Sequence, residues 1–268
     1  MKFLRCFAAI FLLSALLFCK KPTNETPPLS SGEFSLLWND DFTTLSSSRW
    51  AAANWSFNRN LCEFSPAMVK MADGVLGLGI QKKGAEKGRH PEKPYWGAEI
   101  YTHARFGYGK FEAVMKPVCP PGVVVSFFLM QIENDIDGRE VDWYEIDIEF
   151  PGSSRQVSYA LHWGEKGVLK STSQVVDLPF DAAEDFHTYA IIWKPEAIVF
   201  TIDGEQTAEF SDAKIMAELN QPMTVRMNYW VSESADWVGR FYPSVLPLET
   251  YYRSVACYRY NPQNVDEK

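Results

Sequence analysis

The sequence predicts an all-β domain built as a two-sheet antiparallel sandwich. Short strand-like segments follow one another along the chain, and no long amphipathic helical stretch lies between them. Asp73-Gly74 and Asp203-Gly204 each separate two such segments, and Asp-Gly pairs are typical of tight hairpin turns. Several segments are apolar on both faces, as strands are when they pack inside a sandwich. Only one short helix is expected, near residues 213–218.

The predicted strands all fall within one continuous stretch, residues 33–268. In chain order they are 35–41, 68–71, 75–81, 98–102, 109–116, 123–132, 141–150, 157–163, 187–193, 198–202, 205–210 and 251–260. A stretch of roughly 230 residues is ordinary for a single all-β sandwich, and no internal linker interrupts it. Residues 20–32 are rich in Pro and Ser, which is the composition of a flexible tether. The sequence therefore predicts one tethered domain.

The N-terminus has the pattern of an export signal. Lys2 and Arg5 precede an apolar run, residues 7–18, which is too short to span a membrane and resembles the apolar region of a signal peptide. The run ends at Cys19, and an apolar residue three positions before a cysteine resembles a bacterial lipoprotein box. We therefore expect residues 1–19 to direct export, Cys19 to carry a lipid, and the protein to be membrane-anchored in the bacterial cell envelope, or else secreted.

Composition restricts the class of partner. The formal net charge is −8, which argues against nucleic acid because phosphate binding needs a basic surface. Aromatic residues make up 15% of the chain and include nine tryptophans. Most of these belong in the core, but in an exported protein the excess suggests stacking platforms for sugar rings. A neutral polysaccharide is the expected partner, and the protein is expected to be a monomer.

The sequence carries no signature of a metal or of an organic cofactor. Its four histidines show no zinc-ligand spacing, and it has neither a Gly-Lys-Ser/Thr phosphate loop nor a Gly-x-Ser-x-Gly nucleophile elbow. We expect no cofactor.

The strongest chemical signal is the strand at residues 143–150. Period-2 alternation places Glu145, Asp147 and Glu149 on one face and Ile146, Ile148 and Phe150 on the other. Three carboxylates on one strand face raise one another's pKa, so a strand that carries them is a candidate acid/base site. Two carboxylates that flank a glycosidic bond can act as nucleophile and acid/base, or as acid and water-activating base. The spacing alone leaves both mechanisms open.

This segment resembles the catalytic strand of family 16 glycoside hydrolases. The match consists of EIDIEF followed by Pro-Gly, with Trp143 two residues ahead. The family contains retaining β-glucanases and transglycosylases on a concanavalin-like jelly roll, and the unbulged Glu-x-Asp-x-Glu form is similar to that of lichenases. The resemblance implies that Glu145 is the nucleophile, that Glu149 is the acid/base, and that Asp147 tunes the pair.

Other segments extend the resemblance over about residues 33–261. The matching segments, in lichenase order, are 107–117, 123–132, 185–204 and 227–241. By the same resemblance, the predicted substrate-binding residues are Glu99, Trp143, Asn228, Trp230 and Trp237. His162 shares a strand face with Ser158 and Ala160, and it is either a sugar contact or a buried structural histidine.

The chain also departs from the lichenase pattern. Tyr144 replaces the usual Asp before the nucleophile, and Tyr101 stands where lichenases carry a cleft Arg. The strand after the motif lacks the typical Gln and Asn. These changes put the substrate linkage in doubt and leave the chemistry unchanged. A structural calcium, which some lichenases bind through a late-strand Asp, is not expected because residues 253–255 read Arg-Ser-Val.

The cysteines also differ from those of lichenases. Lichenases commonly pair a cysteine at the Cys62 position with one near the position of Gly97, where this chain has none. At most one disulfide can form among Cys62, Cys119 and Cys257.

The sequence thus predicts a retaining, endo-acting hydrolase of a β-linked polysaccharide, with β-1,3-1,4- or β-1,3-glucan as the expected substrate. Two alternatives stay open: a transglycosylase acting on β-glycans, and a non-catalytic, lectin-like lipoprotein on the same jelly roll.

Overall fold

The computed structural model describes residues 32–86, 88–134, 140–165 and 167–264. Sixteen β-strands and two short helices make up the regular structure of this part of the chain, together with three single-turn 3-10 segments. The strands form two layers. We call them the front sheet, which carries the candidate site, and the back sheet.

The front sheet has the strand order β11-β10-β9-β8-β15-β6, with β2 and β3 paired to β6. Its strands are β2 (Trp50–Ala52), β3 (Cys62–Phe64), β6 (Tyr95–Phe106), β8 (Val123–Asn134), β9 (Glu140–Pro151), β10 (Gln156–Glu165), β11 (Val168–Asp177) and β15 (Met223–Val231). Within this sheet only the short pair β3 and β6 runs parallel among the described strands.

The back sheet has the order β5-β16-β7-β12-β13-β14, with β1 on β16 and β4 on β5. Its strands are β1 (Phe34–Asp40), β4 (Val69–Ala72), β5 (Val75–Lys82), β7 (Gly109–Lys116), β12 (His187–Trp193), β13 (Ile198–Ile202), β14 (Glu205–Phe210) and β16 (Leu248–Tyr260). The helices are α1 (Ala213–Glu218) and α2 (Ala235–Val238), and the 3-10 turns are Pro66–Met68, Pro243–Val245 and Pro262–Asn264. The two sheets are joined at one edge, where β5 pairs briefly with β6.

The core lies between the two layers and is closed by aromatic contacts. The apolar face of β9 is fully buried. Phe150 of this strand meets Tyr189 of the back sheet edge to face, with ring centroids 5.5 Å apart. Tyr159 of β10 stacks on Phe200 of β13 at 4.5 Å. Such aromatic pairs add to the stabilisation that comes from burying apolar area. The predicted all-β sandwich is confirmed, and so is the inward face of the acid strand.

The predicted turns and helix are also found. Asp73 and Asp203 have positive φ angles of 52° and 51°, and each is followed by a glycine with positive φ. This geometry is the one that Asp-Gly hairpin turns require. Helix α1 spans Ala213–Glu218, and the Asp212 side chain caps its first turn. Strands β2, β3 and β11 were not predicted from the sequence. The first two are three residues long, and β11 is a largely exposed edge strand without clear alternation.

The three described cysteines are buried thiols, and none is bonded to another within the described part of the chain. Gly97 lies against Cys62, where the resemblance placed the bridging cysteine. A Cβ atom on Gly97 would come within 2.9 Å of Cys62 Cβ.

The predicted signal peptide, Cys19 and nearly all of the tether lie outside the described residues. Within the described ranges, no helix is both long and apolar enough to cross a membrane.

Candidate functional site

Strand pairing assembles the candidate site across five strands of the front sheet, β10, β9, β8, β15 and β6. Asp147 lies between Ala160 of β10 and Phe128 of β8. The two glutamates flank it, each with one partner on either side. Glu145 lies between His162 and Met130, and Glu149 lies between Ser158 and Ser126. Because side chains alternate along a β-strand, the three acids lie in one line. Asp147, at the centre of this line, has the small Ala160 on one side and the apolar Phe128 on the other.

Asp147 is the central group and is only 2% exposed. Burial raises its pKa well above the usual value, and the charges of Glu145 and Glu149 raise it further. The raised pKa favours its protonated form, which can donate a hydrogen bond to Glu145. Its Oδ2 has no hydrogen-bond partner among the described residues. Asp147 is placed to tune its neighbours, as the resemblance implies.

Glu145 is half-buried and accepts two hydrogen bonds, from Trp143 and from Asp147. Burial raises its pKa to about 7, while the Trp143 indole N–H, the Arg226 charge and the Asp147 hydrogen bond all favour the ionised form. Trp143 Nε1 donates to Glu145 Oε2 at 2.7 Å. A carboxylate that accepts hydrogen bonds in its ionised form is suited to attack a carbon atom.

The ionised form of Glu149 is stabilised by fewer interactions than that of Glu145. Burial raises its pKa to about 8, and the charge of Glu145 adds to this rise. The Ser126 hydroxyl opposes the rise only weakly because its oxygen lies 3.5 Å from Glu149 Oε1. Fewer groups therefore favour the ionised form of Glu149 than favour that of Glu145. The two environments favour Glu149 as the acid and Glu145 as the nucleophile.

His162 and Trp143 close one end of the acid line. Their rings are stacked, with centroids 6.0 Å apart. His162 Nε2 lies 3.6 Å from Asp147 Oδ2. Burial lowers the pKa of His162, which favours the neutral ring. Its Nδ1 has no hydrogen-bond partner in the described ranges.

Glu99 lies on β6 and is paired with Arg226, a cation that was not among the predicted site residues. Arg226 NH1 donates to Glu99 Oε1 at 3.0 Å. Burial raises the pKa of Glu99, and the charge of Arg226 and a hydrogen bond with Asn228 oppose that rise. Arg226 lies directly opposite Tyr101, the residue that stands at the position of the lichenase Arg. A cation is therefore present in this region, but it comes from the neighbouring strand.

The two tryptophans predicted to bind substrate differ in exposure. Trp230 is 7% exposed and packs against Phe57, whereas Trp237 of α2 is 43% exposed. The two rings lie 6.1 Å apart. Trp237 also lines an open depression together with Asn58, Arg59, Glu233, Ser234, Ala235 and Asp236. Trp237 is available to a ligand, and Trp230 chiefly supports it.

We therefore expect different results from replacing each tryptophan by alanine. Trp237→Ala should weaken productive substrate binding by about 1 to 3 kcal/mol and leave the melting temperature nearly unchanged. Trp230→Ala should lower the stability of the fold by about 3 to 5 kcal/mol, the usual cost of truncating a buried aromatic residue. Steady-state kinetics and thermal melting of both variants test this. A large loss of melting temperature in Trp237→Ala without a kinetic effect would assign Trp237 to the core.

The raised pKa of Glu149 also predicts how stability changes with pH. Between the unfolded value near 4.5 and the folded value of about 8, the folded chain holds a proton that the unfolded chain has released. Stability therefore falls as pH rises through this window, at up to about 1.4 kcal/mol per unit. Glu149→Gln removes the effect. We expect the variant to melt at a higher temperature than the wild type, with a difference that widens from pH 5 to pH 8. A constant difference would contradict the prediction.

The acid cluster meets the distance requirement for a cation. Glu145, Asp147 and His162 each offer one ligand atom, and these atoms lie within 4.8 Å of one another. Asp147 already shares a proton with Glu145, however, and a metal would have to displace that proton. We interpret the cluster as a proton-sharing acid pair beside a neutral imidazole.

Two further residues of the site, Arg226 and Ser126, could have been identified from the sequence. Arg226 and Asn228 are two positions apart on β15 and so share a face. Ser126 is a single polar residue inside an apolar strand, and that position pairs it with Glu149.

Comparison with known proteins identifies one family and several relatives with similar names. The sequence model of the family described as "Glycosyl hydrolases family 16" matches residues 58–242 of this chain. A β-glucanase of Fibrobacter succinogenes is 37% identical over 175 residues, which cover 63% of this chain and 48% of that protein. This chain thus spans about half the length of that relative. A β-glucanase of Brevibacillus brevis is 33% identical over 229 residues, covering 83% of this chain and 81% of the other.

A solved structure shares the fold. It is a prokaryotic β-1,3-1,4-glucanase (lichenase) derived from a mouse hindgut metagenome, with a TM-score of 0.70 and 30% identity. The match covers 82% of this chain and 97% of that one.

Proposed function

The chain belongs to family 16 of the glycosyl hydrolases, and on that basis we propose that it is an endo-acting hydrolase of β-1,3-1,4-glucan that retains the anomeric configuration. One observation carries the proposal: two half-buried glutamates on one strand face have different hydrogen-bond partners, Trp143 for Glu145 and a long contact with Ser126 for Glu149, in the sense that a retaining mechanism needs. The names of the relatives, β-glucanase and lichenase, support the choice of substrate.

The first step uses the two glutamates in different protonation states. The Glu145 carboxylate attacks the anomeric carbon, and the bond between that carbon and the glycosidic oxygen breaks. Glu149 gives its proton to the departing oxygen, which leaves as a hydroxyl group. The sugar is then held as an ester of Glu145.

The second step reverses the role of Glu149. Now ionised, it takes a proton from water, and the resulting hydroxide attacks the anomeric carbon. The ester bond breaks and Glu145 leaves as a carboxylate. The two displacements each invert the carbon, so the product keeps the configuration of the substrate. The protonated Asp147 stabilises the returning charge on Glu145 through their hydrogen bond.

A panel of polysaccharides tests the proposal. The purified protein is incubated with mixed-linkage β-glucan, laminarin, xyloglucan and agarose, and the products are separated by chain length. We expect mixed-linkage glucan to be cut internally into short oligosaccharides, whose newly formed ends are in the β configuration by NMR. Preference for laminarin would contradict the proposed β-1,3-1,4 linkage of the substrate. Formation of products longer than the substrate would indicate transglycosylation, and binding without cleavage would indicate a lectin.

We also propose that the protein is exported and anchored by a lipid on Cys19. The apolar run before Cys19 supports this proposal, and so does the composition of residues 20–32. When the full chain is expressed in a bacterium that processes lipoproteins, we expect it to sediment with the membranes. Cys19→Ala should release it or block its processing. An intact mass that shows an unlipidated N-terminus in the wild-type protein would contradict the proposal.

A further inference from the structure

A cavity lies behind the acid strand, between the inner face of the front sheet and helix α1. Its volume is about 420 Å³, which falls in the usual range for small-molecule sites. It is lined by residues of β9, β10, β11, α1 and the turn after α1, chiefly Tyr144, Trp163, Glu165, Lys170, Glu218 and Gln221. We call this space the rear cavity.

The rear cavity and the acids lie on opposite faces of the front sheet. Side chains alternate along a strand, so Tyr144 points away from its neighbours Trp143 and Glu145. For the same reason Trp163 points away from His162. Tyr144 and Trp163 lie opposite each other in the strand register and are only 4% and 7% exposed, as inner-face residues are. A ligand in the rear cavity is therefore separated from the acids by the sheet.

The wall of the rear cavity contains a buried donor without a hydrogen-bond partner. Trp163 is more than nine-tenths buried, and its Nε1 has no partner among the described residues. Lys170 lowers the pKa of the Glu218 carboxyl, and the nearby Trp163 N–H lowers it to a smaller extent, although this contact does not reach hydrogen-bond geometry. A buried polar group without a partner is costly, so a ligand oxygen that accepts from this N–H is favoured.

The other polar groups of the rear cavity are mainly acceptors. Tyr144 donates to Glu165 Oε1 at 2.9 Å, and Lys170 donates to Glu218 Oε2 at 2.5 Å. Each carboxylate uses one oxygen in these contacts and keeps acceptor sites on its other oxygen. Gln221 donates its amide N–H to a neighbouring side chain and keeps its carbonyl oxygen as an acceptor. Such a lining suits a ligand that carries several O–H groups.

The charge of the lining selects against an anion. Glu165 and Glu218 carry one negative charge each, and Lys170 carries one positive charge that is already paired with Glu218. The two aromatic residues and Val168 supply apolar surface, which suits the C–H groups of a sugar ring better than it suits a small cation. We propose that the rear cavity is a second binding site, for a short, uncharged saccharide. The inference does not depend on the proposed hydrolysis, because none of the acids takes part in it.

The indole signals of two tryptophans report on the two sites separately. The protein is labelled with 15N at tryptophan, and the Trp163 and Trp237 signals are identified by their absence in Trp163→Phe and Trp237→Phe. On titration with cellobiose we expect the Trp163 signal to shift and to reach saturation, because its N–H gains an acceptor. The shift should persist in Trp237→Ala, in which binding in the cleft is weakened. A Trp163 signal that does not move overturns the proposal, whether or not Trp237 responds.

Filling the rear cavity provides a matched pair of variants. Ala217→Phe places a ring in the cavity and removes no polar group, whereas Ala213→Phe places the same ring at an exposed position of α1 outside the cavity. We expect Ala217→Phe to weaken the binding of cellobiose, followed at Trp163, by at least about tenfold, and Ala213→Phe to leave it unchanged. Unchanged binding in Ala217→Phe would show that the shift is transmitted from the cleft, and it would overturn the proposal. Gln221→Ala removes an acceptor, should also weaken binding, and decides the question if Ala217→Phe does not fold.

Two charged probes test the class of ligand. Butane-1,4-diamine is a cation without hydroxyl groups, and glucose 6-phosphate is a sugar with a negative charge. At concentrations at which cellobiose saturates the Trp163 shift, we expect neither probe to move this signal. If either charged probe binds as tightly as cellobiose, the rear cavity does not select an uncharged saccharide, and the proposal is overturned.

Discussion

Glu145→Ala is expected to abolish turnover on every β-glycan, with a loss in kcat of at least about 10⁴-fold. The physical reason is that no other group on this face can take its place. Asp147 is protonated and buried at the centre of the line, and Glu149 is needed as the acid. The measurement is the initial rate on mixed-linkage glucan and on an aryl β-glycoside.

Small anions should restore part of the lost activity. The alanine leaves a space of about the volume of the lost carboxylate, and azide or formate can enter it and attack the anomeric carbon. Only one displacement then occurs, so the product should have the inverted, α configuration by NMR. Rescue that yields the β configuration, or wild-type rates without any added anion, would remove Glu145 from the role of nucleophile. Glu209→Ala, at an exposed position on the edge strand β14, is the matched control and should behave as the wild type.

The acid strand shows why part of this site could be predicted from the sequence. A β-strand has a side-chain period of two, so residue order alone determines which residues share a face. The alternation of Ile146 and Ile148 with the acids was therefore sufficient, and both isoleucines are fully buried. The Asp-Gly turns were predictable for a similar reason, because their backbone conformation is a local property.

Properties that depend on neighbouring strands could not be obtained in this way. The partners of Glu145 and Glu149 come from β8 and β10, and the register that pairs them is not local. The different environments of the two glutamates arise from Trp143 on their own strand, from Arg226 on β15 and from Ser126 on β8. Sequence order therefore identified the acids, and only the sheet assigns them different environments.

The tryptophans show a second limit. Their residue type and the resemblance gave Trp230 and Trp237 the same predicted role, yet one is covered by Phe57 and the other is exposed on α2. Burial depends on what packs above a side chain, here a loop far away in sequence. The edge strand β11 was missed for a related reason. Most of its side chains are exposed on both faces, so its sequence does not alternate between apolar and polar residues.

Glu149→Ala should lose activity in a manner that depends on the leaving group. A polysaccharide leaving group needs a proton, so its cleavage should fall by at least about 10²-fold, within the usual range for loss of a general acid. An activated aryl leaving group needs little protonation, so attack by Glu145 should proceed on such a substrate. The covalent ester should then accumulate, because no base remains to activate water. Mass spectrometry of the denatured protein should show the added sugar.

Azide distinguishes this variant from Glu145→Ala. It can attack the accumulated ester without a base, which gives a second inversion and a β-glycosyl azide. The two alanine variants are thus expected to give glycosyl azides of opposite configuration, although the two replaced residues are both glutamates on one strand. Asp147→Asn is the internal comparison: it keeps the shape but not the shared proton, so its pH profile should shift while its product stays β. If Glu149→Ala yields the α-azide or forms no ester, Glu149 is not the acid/base, because both expectations depend on Glu145 still attacking first.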